Sequence, residues 1–410
     1  MLFVEASVGG VLGGSLTGIL HLMERMDRRR YAPALVLYEP KDVIPALRAD
    51  GIPVHVLPPL PTPVPDGDRP RVARAWLRAR ELVSVVTPRA RALARLFRAE
   101  QPDLVYLANA VTTNLDGVIA GALCRLPIIV HEKGLRRIGP VERLWSRWVD
   151  TCIGMTEEVT AHARARGIRA RRFCTIYDGI NCKAFAPGGG DGVRAEFGIP
   201  AGAPLVGIVG HLQRWKGQLV VVEAVARARE RHPDLRCLIV GGVHRLGEEY
   251  ADELRARIAA LGLERHVILT GARRDVAACM DAMDVVIHSS IRPEPFGRVL
   301  IEAMALGRPV IAPRLGGPRE IVADGETGIL VTPRDPEALG QAIARLIGDP
   351  ATRLAMGRAA RERVDRVFDI RHHVRAVERV FDDVLGDTPA AGPAPRPVAA
   401  GEDAVSEAKL

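Results

Sequence analysis

Aromatic residues are scarce in this 410-residue chain, at 4%, and lysine is scarcer still, with five among 57 basic residues. Arginine is therefore common everywhere and its clusters carry little meaning, whereas a lysine inside a motif carries more. The arginine-rich stretch lacks interleaved aromatics and any recognisable module, which excludes nucleic acid as a partner. The six cysteines (Cys124, Cys152, Cys174, Cys182, Cys237, Cys279) form no C-x-x-C pair. That argues against a zinc site and a disulfide framework and suits a reducing compartment. No H-x-x-x-H or H-E-x-x-H spacing is present, so no metal is expected. A membrane span needs about 18 consecutive apolar residues. The nearest stretch, Ala6 to Met23, carries Gly9, Gly10, Gly13, Gly14 and Gly18, which suit a backbone loop. A basic leader is also missing. The expectation is a cytoplasmic protein, with peripheral attachment to the inner face of the membrane as an added option.

What is present is a globular composition, 48% hydrophobic and 26% charged with net charge +8. Short β-branched runs alternate with amphipathic helical stretches. Strands are expected at Met1–Glu5, Ala34–Tyr38, Val54–Leu57, Leu104–Leu107 and Ile128–His131. A later set comprises Leu205–Val209, Leu235–Val240, His266–Thr270, Val285–His288, Val310–Ala312 and Gly328–Val331. Buried strands separated by helices give parallel sheets covered on both faces, the doubly wound α/β class. Eleven strands exceed one ordinary sheet, and the glycine-rich stretch Ala186–Gly192 divides them. The expected organisation is a Rossmann-like domain over 1–186 and a second over 187–369, facing across a cleft. A helix over 370–386 should pack back on the first domain, and 387–410 should form a disordered tail. Ligands of such sheets sit beyond the carboxyl ends of the strands.

Five motifs lie at those ends. Gly13-Gly14-Ser15 precedes a helix and can bring backbone N–H groups to an anion, although no register supplies G-x-G-x-x-G. His211, Arg214 and Lys216 occur in Gly210–Gly217 after the strand Leu205–Val209. A cation pair there would neutralise a diphosphate. Glu294-Pro295-Phe296-Gly297-Arg298 leads to Glu302. The prolines keep Glu294 in a loop, while Glu302 falls within the helix that starts near Gly297, whose free N–H groups favour phosphate. Gly316-Gly317 after Val310–Ala312 permits close approach of a ligand or marks a tight turn. His131-Glu132-Lys133-Gly134 places a histidine at a strand end, as a substrate contact or a structural residue.

Together these residues resemble glycosyltransferase family 4, the retaining, nucleotide-sugar-dependent enzymes of GT-B architecture, over about residues 1–385. The E-x7-E element is met by Glu294 and Glu302, the glycine loop by Gly210 to Gly217, and the donor-domain tail by Gly316 to Val331. The resemblance implies that Lys216 and a neighbouring arginine bind the donor diphosphate and that Glu302 holds the ribose. It further implies that Glu294, with N–H groups around Phe296 and Gly297, positions the sugar. His131 would face the sugar from the first domain, and Gly14 would approach the phosphates. Where the family carries arginine after its first glycine, this chain has His211, which leaves His211 or Arg214 as the second cation.

The expected activity is hexosyl transfer to a saccharide or lipid-linked acceptor in cell-surface polysaccharide, lipopolysaccharide or glycolipid synthesis, without a cofactor. The alternatives are a nucleotide-sugar epimerase of the same fold and a non-catalytic binding protein of a polysaccharide assembly. An oxidoreductase using Glu39 on a ribose is remote. From Arg69 to Arg98 there are nine arginines and one acid, Glu81, with Val72, Trp76, Ala79, Val83 and Val86 on one helical face. Such a helix would lie on an anionic membrane surface or pack with an arginine-rich solvated face.

Overall fold

The computed structural model describes residues 1–7, 14–58, 71–243 and 248–386. Two parallel sheets organise the chain. The first comprises β1 (Leu2–Glu5), β2 (Ala34–Leu37), β3 (Val54–Val56), β4 (Val105–Leu107), β5 (Ile128–Glu132), β6 (Thr151–Gly154) and β7 (Arg172–Thr175), in the order β3-β2-β1-β4-β5-β6-β7. The second comprises β8 (Leu205–Val209), β9 (Arg236–Val240), β10 (Val267–Gly271), β11 (Val285–Ile287), β12 (Val310–Pro313) and β13 (Gly328–Val331), in the order β10-β9-β8-β11-β12-β13. All pairings within these sheets are parallel. The strand order reverses between β1 and β4 and between β8 and β11, which opens a crevice beyond the strand ends at each point.

Alternation along each strand sends side chains to two separate cores. In β1, Phe3 faces a cluster with Ile370, Val377 and Phe381, whereas Leu2 and Val4 face Leu93 and Phe97 of the helix Thr87–Glu100. In β8, Leu205 packs toward the helix Arg298–Ala305, and Val206 and Ile208 pack toward Gln218–Ala228 and Pro336–Gly348.

Strands β6 and β7 are additions to those expected from sequence. The glycine-rich stretch 186–192 is also not a free linker. Asp281 Oδ2 accepts from the N–H groups of Gly188, Gly189 and Gly190 at 2.8, 3.1 and 3.0 Å, which docks the stretch on the second domain. The two passages of the chain between the sheets run side by side at a crossover, where Ile180 and Asp369 form a parallel bridge. Ile180 N donates to Phe368 O and Ile370 N to Ile180 O, both at 2.9 Å.

The helix Ile370–Leu385 is capped by Asp369, whose side chain accepts from Arg371 N. It returns to the first domain, where the Phe381 ring lies 6.2, 5.6 and 5.8 Å from the rings of Phe3, Tyr31 and Tyr106. The stretch expected as a tail, 387–410, lies outside the described residues, as does most of the loop Pro58–Arg69. Among the described residues no helix is long and apolar enough to cross a membrane.

Candidate active site

Lys216 and Glu294 meet at the reversal point of the second sheet, one after β8 and the other after β11. Lys216 ends a 3-10 turn, Arg214–Lys216, and Gly217 closes it in the left-handed region at φ 73°. A Cβ at Gly217 would collide with the Ser289 carbonyl. Ser289 Oγ donates to Lys216 O at 2.8 Å, and Ile291 N donates to Trp215 O at 2.8 Å. These bonds lace the two loops together, so the side chains they carry hold a fixed spacing.

The Lys216 ammonium donates to both Glu294 carboxylate oxygens at 2.9 Å and lies 4.2 Å from the Trp215 ring centre. His288 Nε2 and Ser290 Oγ each approach Glu294 Oε2 at 2.7 Å. A carboxylate only accepts, so the His288 proton is placed on Nε2. Burial pushes the Glu294 carboxyl up, but His288 and Lys216 outweigh it and hold the group well below the usual carboxylate range. Glu294 is therefore a fixed anion. His288 and Ser290 belong to no motif, and the sequence reading missed them. Their position immediately after β11, at a strand carboxyl end, is the signal that could have found them.

Gly297, at φ 107°, starts the helix Arg298–Ala305. The Phe296 side chain is buried against Tyr177 and Phe368 at ring distances of 6.5 and 6.0 Å. It anchors the loop and leaves backbone, not ring, for any ligand. Glu302 lies one turn along, with Arg298 Nη2 at 3.6 Å from its Oε1. Burial raises the Glu302 carboxyl above its ordinary value, opposed by Arg298. Across from it, burial, then Arg25 and then Arg298 lower the proton affinity of His21.

Other expected site residues fall elsewhere. Gly316 and Gly317 do not keep space for a ligand. A Cβ at Gly316 would stand 2.6 Å from Glu294 O, and one at Gly317 would stand 2.6 Å from Phe296 Cα. Gly317 N donates to Glu294 O at 2.8 Å, so the pair makes room for the Glu294 loop itself. Arg214 forms an ion pair with Glu253 and lies 5.4 Å from the Tyr250 ring centre. His211 is exposed, and its carbonyl accepts from Gln218 Nε2 at 3.0 Å.

His131 does not face an open crevice. It shares a face of β5 with Ile129, and that face is covered by the helix Ile370–Leu385. Its Nδ1 bonds Tyr106 OH at 2.6 Å and its ring stacks on His373 at 6.0 Å, leaving it fully buried. Burial and then Lys133 hold its proton affinity well below the ordinary value. Gly14 opens the helix Gly14–Arg25, while Gly13 lies outside the described residues.

Among the described residues, the one group of side chains able to gather a metal ion is Cys182, Asp365 and Asp369, beside the domain crossover. Asp369 is already engaged there by Arg371, whose Nε and Nη2 lie at 2.8 and 3.1 Å from its oxygens.

Comparison with known proteins agrees with this geometry. Residues 12–184 match the family described as Glycosyltransferase Family 4, and residues 191–363 match Glycosyl transferases group 1. A D-inositol 3-phosphate glycosyltransferase of Corynebacterium urealyticum is 37% identical over 202 residues, 48% of this chain and 47% of that protein. The chain thus spans about half the length of such relatives. The lipopolysaccharide core biosynthesis mannosyltransferase LpcC of Rhizobium leguminosarum is 28% identical over 76% of this chain and 84% of its own length. The crystal structure of Anabaena HepE in complex with UDP and glucose superposes with a TM-score of 0.73 at 26% identity, over 93% of this chain and 98% of that one. HepE has also been crystallised with UDP-glucose. With both sheets, the crevice and both halves of the sequence in agreement, the chain belongs to glycosyltransferase family 4 and has the GT-B architecture.

Proposed function

We propose that this protein transfers a hexosyl unit from a nucleoside diphosphate sugar to a hydroxyl of a saccharide or lipid-linked acceptor, with retention at the anomeric carbon and without a metal. The observation that carries the reading is the Lys216–Glu294 pair, braced by His288 and Ser290 beside the start of the helix Arg298–Ala305. During transfer the bond from anomeric carbon to phosphate oxygen breaks, its electron pair leaves on the diphosphate, the acceptor oxygen bonds the anomeric carbon, and the acceptor's proton passes to the departing diphosphate. Lys216 and the N–H groups at the helix start would stabilise that charge, and such preorganised donors usually supply the largest catalytic contribution. Glu294, held ionised, would accept from hydroxyls of the donor sugar, and Glu302 from those of the ribose. The UDP and UDP-glucose held by HepE support a uridine donor.

The test is a panel of nucleotide sugars scored by thermal shift, followed by transfer assays with and without chelator. A true donor raises the unfolding temperature by mass action, and the product keeps the donor's anomeric configuration. A protein stabilised by no nucleotide sugar, or one converting a donor without acceptor, would contradict the reading.

A peripheral membrane contact is a further part of it. The expected basic helix is interrupted by a π-turn, Leu82–Val86, which buries Val86 but leaves Val83 73% exposed and Trp76 62% exposed. Exposed apolar side chains beside arginines suit an anionic surface, and the Arg80 guanidinium lies 5.8 Å from the Trp76 ring centre. Sedimentation with vesicles of anionic lipid, absent with neutral vesicles and weakened by salt, is the expected outcome.

A further inference from the structure

The Glu320 carboxylate belongs to the second domain but is spent on the first. It follows Gly316-Gly317 in the short helix Pro318–Ile321. Its Oε2 accepts from Glu157 N at 2.8 Å and its Oε1 from Glu158 N at 3.0 Å. Those two N–H groups open the first-domain helix Glu157–Ala165, and a helix start both lacks intrahelical acceptors and carries partial positive charge. Tyr177 OH, on the segment leading to the crossover, donates to the same carboxylate at 3.1 Å. From behind, Arg363 fixes the short helix by donating to Glu320 O at 2.8 Å and Ile321 O at 2.7 Å.

A second bond runs in parallel. Thr156, the cap of that first-domain helix, accepts from Val159 N at 3.2 Å and donates its hydroxyl hydrogen to Pro295 O at 3.0 Å. Pro295 directly follows Glu294. The glycine pair then closes the circuit: Gly317 N holds Glu294 O, and no side chain fits between the two loops. The Glu294 loop is therefore gripped by Thr156 from the first domain and by the Gly316–Glu320 segment, whose far end is fixed on the same helix start.

We propose that Glu320 and Thr156 are positioning residues, which register the Glu294 loop against the first domain and so set Glu294 for transfer. Neither touches the Lys216–Glu294 pair; both act through the loop backbone. The kinetic part rests on the transferase reading above, while the mechanical part does not. Lys216 sits on the separate loop after β8 and Glu302 in the helix Arg298–Ala305, so both stay in place when the Glu294 loop is unlatched, and nucleotide affinity should survive while turnover falls. Misplacement of a reacting group by about 1 Å can cost about a hundredfold in rate.

The experiment combines amide hydrogen exchange with kinetics on the full chain for Glu320→Ala, Glu320→Gln, Thr156→Val and Thr156→Ser. In Glu320→Ala, exchange should rise at Glu157, Glu158 and also Gly317, by about tenfold or more for each lost bond. Turnover should fall by about ten- to a hundredfold, with the UDP dissociation constant within about threefold of wild type. Glu320→Gln, which keeps the shape and loses the charge, should be intermediate. Thr156→Ser should keep turnover that Thr156→Val loses. The proposal is overturned if exchange at Glu157 and Glu158 is unchanged, if it rises while Gly317 stays protected, or if unlatched variants turn over at the wild-type rate. A wild-type chain inert toward every nucleotide sugar would sink the transferase reading, and the three amides would still judge the latch.

Discussion

Lys216 and Glu294 are 78 residues apart in the chain, yet the ammonium of one bridges both carboxylate oxygens of the other at 2.9 Å. Replacing Lys216 by alanine leaves Glu294 held by His288 and Ser290, so the loop should keep its place. The expected outcome is a fall in turnover of about 10²–10³-fold, the usual loss for a preorganised charge-stabilising donor. Circular dichroism should match wild type. A variant retaining most of its transfer rate would remove Lys216 from the mechanism.

Gly317 has no room for a side chain, because a Cβ there would meet Phe296 Cα and Phe296 O, both at 2.6 Å. Both are main-chain atoms, which cannot swing aside as a side chain could. Gly317→Ala should therefore displace the Glu294 loop, cutting turnover by at least about tenfold and stability by about 1–3 kcal/mol. Denaturant titration and transfer assays on the same preparation would check both. Unchanged activity would mean the loop can shift without consequence.

Glu132 ends β5 with its carboxyl buried, accepting only from Val111 N at 2.7 Å in the described structure. Burial pushes its pKa up from 4.5 to about 7, opposed by the Val111 N–H and Arg136. Raised in the folded state, it contributes stability that is complete below pH 4.5 and lost as pH climbs through 7. Glutamine does not titrate. Glu132→Gln should therefore gain on wild type across that window, by roughly 2–4 kcal/mol in total, and then level off. Urea midpoints measured from pH 4 to 8 would test it, and a pH-independent difference would rule it out.

Phe381 is fully buried among Phe3, Tyr31 and Tyr106. Truncation to alanine should cost about 3–5 kcal/mol, as for other large core aromatics. The loss should appear as a lower unfolding midpoint, with destabilisation felt in the first domain.

Most of the fold could be read from the sequence because its strands are apolar runs punctuated by helices. Thr151–Gly154 and Arg172–Thr175 escaped for physical reasons. The first is four residues with glycine at its end, and the second is an edge strand opening on a charged residue. Lys216, Glu294 and Glu302 stand out in the sequence because local motifs mark them, and the structure brings the first two into contact. His288 and Ser290 do not stand out, since their value arises only when the end of β11 meets the Glu294 loop. For His131 the sequence left a substrate contact and a structural role open, because the helix that covers it, Ile370–Leu385, is far away in the chain. Gly316 and Gly317 were assigned to a ligand because sequence reveals that space is needed, not what fills it.

The crossover at Ile180 and Asp369 leaves the first domain assembled from both ends of the polypeptide, with Ile370, Val377 and Phe381 sealing a face laid down by β1 and β4. A ribosome synthesising this protein emits that face long before its seal. The early portion must therefore wait, greasy side uncovered, until the whole second domain has emerged. A fragment ending near Ile180 would be expected to aggregate on its own, and to be rescued when the missing helix is supplied in trans.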